Sequence, residues 1–247
     1  MDLADRQSIA RELCQRLATV ADVAIVVAGM VAPAAPPTDF DPLELLVITE
    51  RVRQRPMHSF MMRGIPVTIN TIALPDLEVI LQVPDLRWPQ WLSWLAQVQP
   101  IVGTAEQVQD WLSRARALPE RAFYQSIIPY LPQLVFRRYS ELRAATVRRQ
   151  ASVARLLVSE LLMEMISALC LINRCWLTQH RYAGLNESFS FPLQPRDWPQ
   201  LATALIAAQE LDEIGRLAGT LIGNYWQLLV RCSLQVENHQ TIASAPL

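Results

Sequence analysis

The sequence predicts an α+β protein, with a mixed sheet domain in residues 1–125 followed by an all-α helical bundle in residues 126–247. Three observations carry this. Between Val23 and Ile72, short unbroken or alternating apolar runs are separated by Pro- and Gly-bearing breaks, the pattern of strands and turns. From about Ser126, strand signals vanish and apolar residues recur at helical spacing. Pro119 and Pro132 bracket the change, which puts the boundary between them.

Taken in order, Ile9, Leu13 and Leu17 lie on one face of a helix over Asp5 to Leu17, which packs on the sheet that follows. Val23 to Val27 is β-rich and unbroken, so it reads as a buried strand ending at an Ala28-Gly29 turn. Pro33, Pro36 and Pro37 exclude regular structure in the next loop. Glu44 then stands directly before a second strand, Leu45 to Ile48. Arg51 to His58 reads as an exposed turn, Ser59 to Arg63 as a short strand, and Gly64-Ile65-Pro66 as a turn. Val67 to Ile72 alternates as a strand, and Leu74 to Gln82 reads as a helix with Asp76 and Glu78 near its positive end. Trp91 and Trp94 share a helical face, as a core or interface stripe. Thr104, with Gln107 three residues on, caps a helix that runs to about Leu118. Gln133 to Cys175 forms one long helix or two in sequence, and Arg137, Arg138, Arg143, Arg148, Arg149 and Arg155 fall round most of its surface as a solvated face. Further helices run from Asp197 to Gln209 and from Leu211 to about Val236, before a polar tail.

The chain has 247 residues, of which 51% are hydrophobic and 18% charged, enough for one large or two small cores. A net charge of -1 offers no basic field for nucleic acid. All 22 basic residues are Arg, so no lysine serves as a phosphate-holding point charge or a Schiff-base former. Cys14, Cys170, Cys175 and Cys232 form no CxxC pair, and His58, His180 and His239 are scattered, which argues against zinc and for free thiols. The charged, amphipathic N-terminus has no signal-peptide core. The longest apolar run, Leu156 to Ile172, is interrupted by Ser159, Glu160, Glu164 and Ser167, so no membrane span is expected. These features indicate a cytoplasmic protein without nucleic-acid or membrane partners.

Function turns on Val23 to Thr49: a strand, a glycine, a loop and an acid entering a second strand. Such an arrangement can hold a metal-bound phosphate. The glycine lets backbone amides approach the phosphate, and the acid holds a divalent cation.

This stretch resembles the nucleotidyltransferase fold of polymerase-beta-like enzymes, and more narrowly the kanamycin nucleotidyltransferase group of aminoglycoside adenylyltransferases. The helix and strand ending in Gly29 match the family's Gly-Ser position. Glu44-Leu45-Leu46-Val47 matches an Asp-x-Asp or Asp-x-Glu entering an apolar strand, and Val67-Thr68-Ile69-Asn70 matches the next strand. Leu157 to Glu164 is similar to the glutamate-bearing helix that opens the family's C-terminal bundle. Phe191-Pro192-Leu193 and Asp197-Trp198 are similar to appended helical domains. The likeness spans roughly residues 8 to 235. It implies transfer of a nucleoside monophosphate from a nucleoside triphosphate to a small-molecule hydroxyl, with Mg²⁺ held by two carboxylates and a glutamate taking the hydroxyl proton. It also implies a homodimer.

Several residues depart from that pattern. Met30 replaces the serine after Gly29, and Pro42 falls where the first acid of the pair belongs. Asp39-Phe40-Asp41 offers a shifted pair, and Asp41 with Glu44 a mixed one. Thr68 and Asn70 provide no third acid. The candidate residues are therefore Glu44 and Asp41 for metal, Gly29 and Met30 for nucleotide, and Glu160 and Glu164, four apart on one helical face, for catalysis. The family's base maps to Glu164 with a one-residue slip and to Met163 without it, and ion pairs of both glutamates with arginines such as Arg155 are the competing role. The expectation is a nucleotidyltransferase-like protein that is catalytically degenerate and keeps the fold and a nucleotide cleft. The alternatives are an active enzyme using Mg²⁺ and a nucleoside triphosphate, or an unrelated helical interaction protein. Asp85, Glu106 and Asp110 are too few to favour a polycationic acceptor.

Overall fold

The computed structural model describes residues 3–20, 24–32, 38, 40–52, 57–178 and 184–235. The proline loop at 33–37, Asp39, His180 and His239 lie outside the described residues. The chain divides into two compact units, Met1–Pro119 with Trp176–His180, and Glu120–Cys175 with Arg181–Leu247.

The first unit is built on a five-stranded mixed sheet. Its strands are β1 (Ile25–Val31), β2 (Leu43–Thr49), β3 (Met57–Met62), β4 (Ile65–Ala73) and β5 (Val98–Val102), in the order β3-β4-β2-β1-β5. β2 and β4 run parallel, and the other pairs are antiparallel. Helix α1 (Leu3–Val20) covers one face. Its Ile9, Ala10 and Cys14 pack into Ala28 and Met30 of β1, Leu43, Leu45 and Val47 of β2, and Val67 and Ile69 of β4. Strand alternation sends Glu44, Leu46 and Ile48 to the opposite face. Helices α2 (Leu74–Gln82), α3 (Trp88–Gln97) and α4 (Ala105–Arg116) complete the unit, with Leu77, Ile80, Trp88 and Trp111 buried.

Several local readings hold. Thr104 caps α4, its Oγ1 accepting from the Gln107 backbone N–H at 3.2 Å. The Trp91 and Trp94 rings meet edge-on at 4.9 Å between centroids. Other readings need correcting. Gly29 does not end its strand; β1 continues through it to Val31. The hairpin between β3 and β4 turns on Arg63 and Gly64, both left-handed (φ 50° and 83°), so Ile65 and Pro66 belong to the strand and not to a turn. Val98–Val102 is an edge strand that helical tryptophan spacing concealed, and its Pro100 is tolerated at a sheet edge.

The second unit is helical: α5 (Glu120–Ile127), a 3-10 turn (Ile128–Tyr130), a π turn (Pro132–Arg137), α6 (Arg138–Val147), α7 (Ala151–Ile172), α8 (Gly184–Ser188), α9 (Trp198–Ala207) and α10 (Leu211–Arg231). The stretch from Gln133 to Cys175 is thus more than one helix. It breaks at Arg148–Gln150, where Arg149 adopts φ 58° and its backbone N–H donates to the Thr146 carbonyl at 3.1 Å. The core of this unit gathers Leu142, Leu161, Met165, Leu169, Trp198, Leu221 and Tyr225. Among the described residues, no helix is long and apolar enough to cross a membrane.

Candidate functional site

On the sheet, Gly29 is needed for close approach. It sits opposite Leu46 on one side and Pro100 on the other, where the β1–β5 register shifts. A Cβ built there would lie 2.2 Å from the Gln99 carbonyl oxygen. The glycine lets β5 close the sheet at a bulge. Met30, the next residue, is 3% exposed and buried in the core against α1.

Glu44 lies inside β2, half-buried, and not ahead of it. Its lateral neighbour on β4 is Thr68, whose own neighbour on β3 is Ser59, with the two hydroxyl oxygens 3.1 Å apart. Asn70, opposite Leu46, is buried one step further along the same face. The row beside Glu44 is therefore built from hydroxyls and an amide.

Asp41 is exposed and precedes the strand. Its Oδ2 accepts from the Thr38 backbone N–H at 2.7 Å and from the Thr38 hydroxyl at 3.0 Å. These bonds, the backbone one first, hold its carboxyl below the usual carboxylate range, and the nearby Arg6 charge adds to them. Arg6, on α1 and only 3% exposed, donates to the carbonyls of Asp41 at 2.7 Å and Thr38 at 2.6 Å. The segment leading into β2 is thus pinned by a buried arginine through main-chain oxygens. Sequence reading passed over Arg6, because a residue 35 positions away along the chain has no local signal at Asp41.

In the helical unit, Glu160 and Glu164 do share a face of α7, and both meet Arg138 of α6 and not Arg155. The Arg138 guanidinium lies 3.0 Å from Glu160 Oε2 and donates through Nε to Glu164 Oε1 at 3.0 Å and through its Nη1 to Glu141 Oε2 at 2.6 Å. Arg137 Nε adds a 3.1 Å bond to Glu141. Arg138 is thus no member of a solvated face; its side chain is 28% exposed and that of Glu164 24%. Burial raises the Glu164 carboxyl above its ordinary value despite Arg138, and its Oε2 is buried with no hydrogen-bond partner. Glu141 moves the other way, lowered by Arg137 and Arg138. The i,i+3 spacing of Arg138 and Glu141 was visible in the sequence, but the pairing with Glu164 spans 26 residues and is set by helix packing.

Among the described residues, no group of three or more His, Cys, Asp or Glu side chains is arranged to hold a metal ion. No protein-family model matches the chain. No curated protein matches it either. Solved structures do. One is the crystal structure of a nucleotidyltransferase-like protein from Exiguobacterium sibiricum 255-15, similar with a TM-score of 0.50 and 18% identity over 91% of this chain and 75% of that one. At that identity the likeness speaks for the fold. The chain has a nucleotidyltransferase-like α+β fold, a mixed five-stranded sheet followed by a helical region.

Proposed function

We propose that this is a nucleotidyltransferase-like protein of the kanamycin-nucleotidyltransferase type that keeps a nucleotide cleft but transfers no nucleotide, and that it works as a cytoplasmic homodimer. The observation that carries the reading is the acid inventory of the sheet. Strand β2 holds a single carboxylate, Glu44, beside Thr68 and Ser59, while the carboxylate of Asp41 is committed to Thr38. Mg²⁺ takes one or two carboxylates together with substrate phosphates in near-octahedral geometry. One strand-borne carboxylate supplies half of the donor charge that a paired acid would. One carboxylate short of a pair, the residues present are a poor fit for Mg²⁺. Met30, packed in the core, has no hydroxyl to offer a phosphate.

Isothermal titration of the full chain with ATP, with and without Mg²⁺, tests this. We expect the same affinity in both conditions and in Glu44→Ala, with no pyrophosphate released on adding hydroxyl acceptors. Metal-dependent binding lost in Glu44→Ala, or pyrophosphate release, overturns the reading. Gel filtration against a light-scattering mass tests the homodimer, which a monomer at micromolar concentration refutes.

One observation favours the alternative of an active enzyme. Glu164 has a raised pKa and a buried, unpartnered oxygen, features of a general base. Against this, its other oxygen is held by Arg138, and Glu160 shares the same guanidinium. Activity that falls in Glu164→Gln while ATP affinity is unchanged would establish the alternative.

A further inference from the structure

The C-terminus of α7 carries two cysteines whose spacing is set by the way the helix ends. The Cys175 backbone N–H donates to the Cys170 carbonyl at 2.9 Å, and the Arg174 N–H to the Leu171 carbonyl at 3.1 Å. Arg174 is left-handed, with φ 53°. Together these make a Schellman motif, in which the residue two past the cap folds back on the residue three before it. Here those two residues are Cys175 and Cys170. In most helices this contact is apolar; here it places one thiol against another. A side-chain hydrogen bond joins them, and that bond, followed by burial, holds the Cys170 thiol well above its ordinary value.

The motif is also anchored from outside. The cap residue Asn173 donates its side-chain amide to the Leu193 carbonyl at 2.7 Å and accepts from the Leu193 N–H at 2.9 Å. Its backbone N–H closes on the Leu169 carbonyl at 2.9 Å. The backbone that sets the sulfur geometry is therefore held on both sides. A disulfide needs α-carbons about 4.4–6.8 Å apart, and the backbone bond between Cys175 and Cys170 brings their main chains together. Both thiols are free. Cys170 is buried and Cys175 is partly exposed, so Cys175 is the more accessible of the two.

We propose that Cys170 and Cys175 form a dithiol modification site that a low-molecular-weight disulfide oxidises to an intramolecular disulfide. The accessible Cys175 thiolate attacks a sulfur of the reagent disulfide, forming a mixed disulfide and releasing one reagent thiolate. Cys170 loses its proton to solvent and attacks the Cys175 sulfur. The Cys170–Cys175 bond forms, and the second reagent thiolate leaves and is protonated. Two protein thiols and one reagent disulfide become one protein disulfide and two reagent thiols. Because Cys170 is buried, the second step is the slower one, and the mixed disulfide is its visible intermediate. Reduction by excess thiol runs the same steps backwards.

Intact-mass analysis and peptide mapping of the full chain, treated with oxidised glutathione at pH 8 without denaturant, test this. Wild type should lose two hydrogen masses, with the link mapped to Cys170 and Cys175 and reversed by reduced glutathione. Cys170→Ser should stop at a glutathionyl adduct on Cys175, raising that adduct about tenfold over wild type. Cys175→Ser should leave Cys170 unmodified. A persistent wild-type adduct, no reaction at Cys175, or a link from either residue to Cys14 or Cys232 overturns the proposal. If Cys170→Ser does not fold, wild type with Cys175 first blocked by iodoacetamide replaces it. The blocked protein must then show no two-hydrogen loss.

Discussion

On the sheet, the Asp41 carboxylate serves a neighbour three residues away and Glu44 lies beside Thr68 of β4. In the helical unit, three glutamates from two helices converge on the guanidinium of Arg138. The sheet acids belong to a backbone feature, a turn and a strand, and their surroundings depend on main-chain positions. The helical acids belong to a charge balance, three carboxylates against Arg138 with Arg137 at the edge, and their state depends on which partner is nearest water. Glu141, the more exposed, is lowered, while Glu164, the more buried, is raised. The two diverge because Glu141 takes bonds from both Arg137 and Arg138, while at Glu164 burial outweighs Arg138. A carboxylate fixes a turn in one unit and is a tuned acid in the other.

The comparison can be broken most severely at the sheet. Gly29→Ala puts a methyl group where the Gln99 carbonyl lies, against backbone that cannot rotate away. A loss of about 3 kcal/mol or more in urea unfolding, or failure to fold, is expected. A cost below about 1 kcal/mol would show that the β1–β5 bulge relaxes freely. The next largest effect belongs to Arg138→Met, which leaves Glu164 half-buried without its cation. The pair is too exposed for a fully buried value and too enclosed for a surface one, so about 2 kcal/mol is expected by chemical denaturation.

A smaller effect separates the acids by pH. The raised pKa of Glu164 means that the native state holds its proton more tightly than the unfolded chain. Its contribution is full below the unfolded pKa and is lost as pH rises through the folded one. Glu164→Gln should therefore gain stability on wild type above that window, by under about 1 kcal/mol. Thermal melts across the acid range would show it, and parallel curves for the two proteins would refute it. Asp41 has the opposite sign. Its lowered pKa supports the fold above the unfolded value, and that support fades as pH falls through the folded one. Asp41→Asn should flatten that acid limb by slightly lowering the neutral melting temperature while leaving the most acidic melts unchanged, the smallest effect of the four.

Much of this was legible in the order of residues, and the failures have physical causes. Helix α2 is found where its apolar spacing put it, because its buried positions, Leu77, Ile80 and Leu81, follow a local period. Gly29 misled because glycine serves both turns and close approaches, and only the neighbouring strand distinguishes them. Strand β5 was hidden because it directly follows α3, whose tryptophan spacing dominates the window, and because Pro100 argues against a strand anywhere but an edge. The candidate acids were identifiable by type, but their partners were not. Arg6 reaches Asp41 across 35 residues and Arg138 reaches Glu164 across 26.

By itself the sequence determined the fold class, the helical character of the second half, the absence of lysine and the lone carboxylate of β2, because composition and short-range periodicity are local properties. Only the tertiary structure decided that Gly29 admits a neighbouring strand, that Arg6 pins the approach to β2, and that Glu160 and Glu164 answer to Arg138. Those outcomes depend on distances between residues far apart in the chain, which packing sets and local spacing does not record.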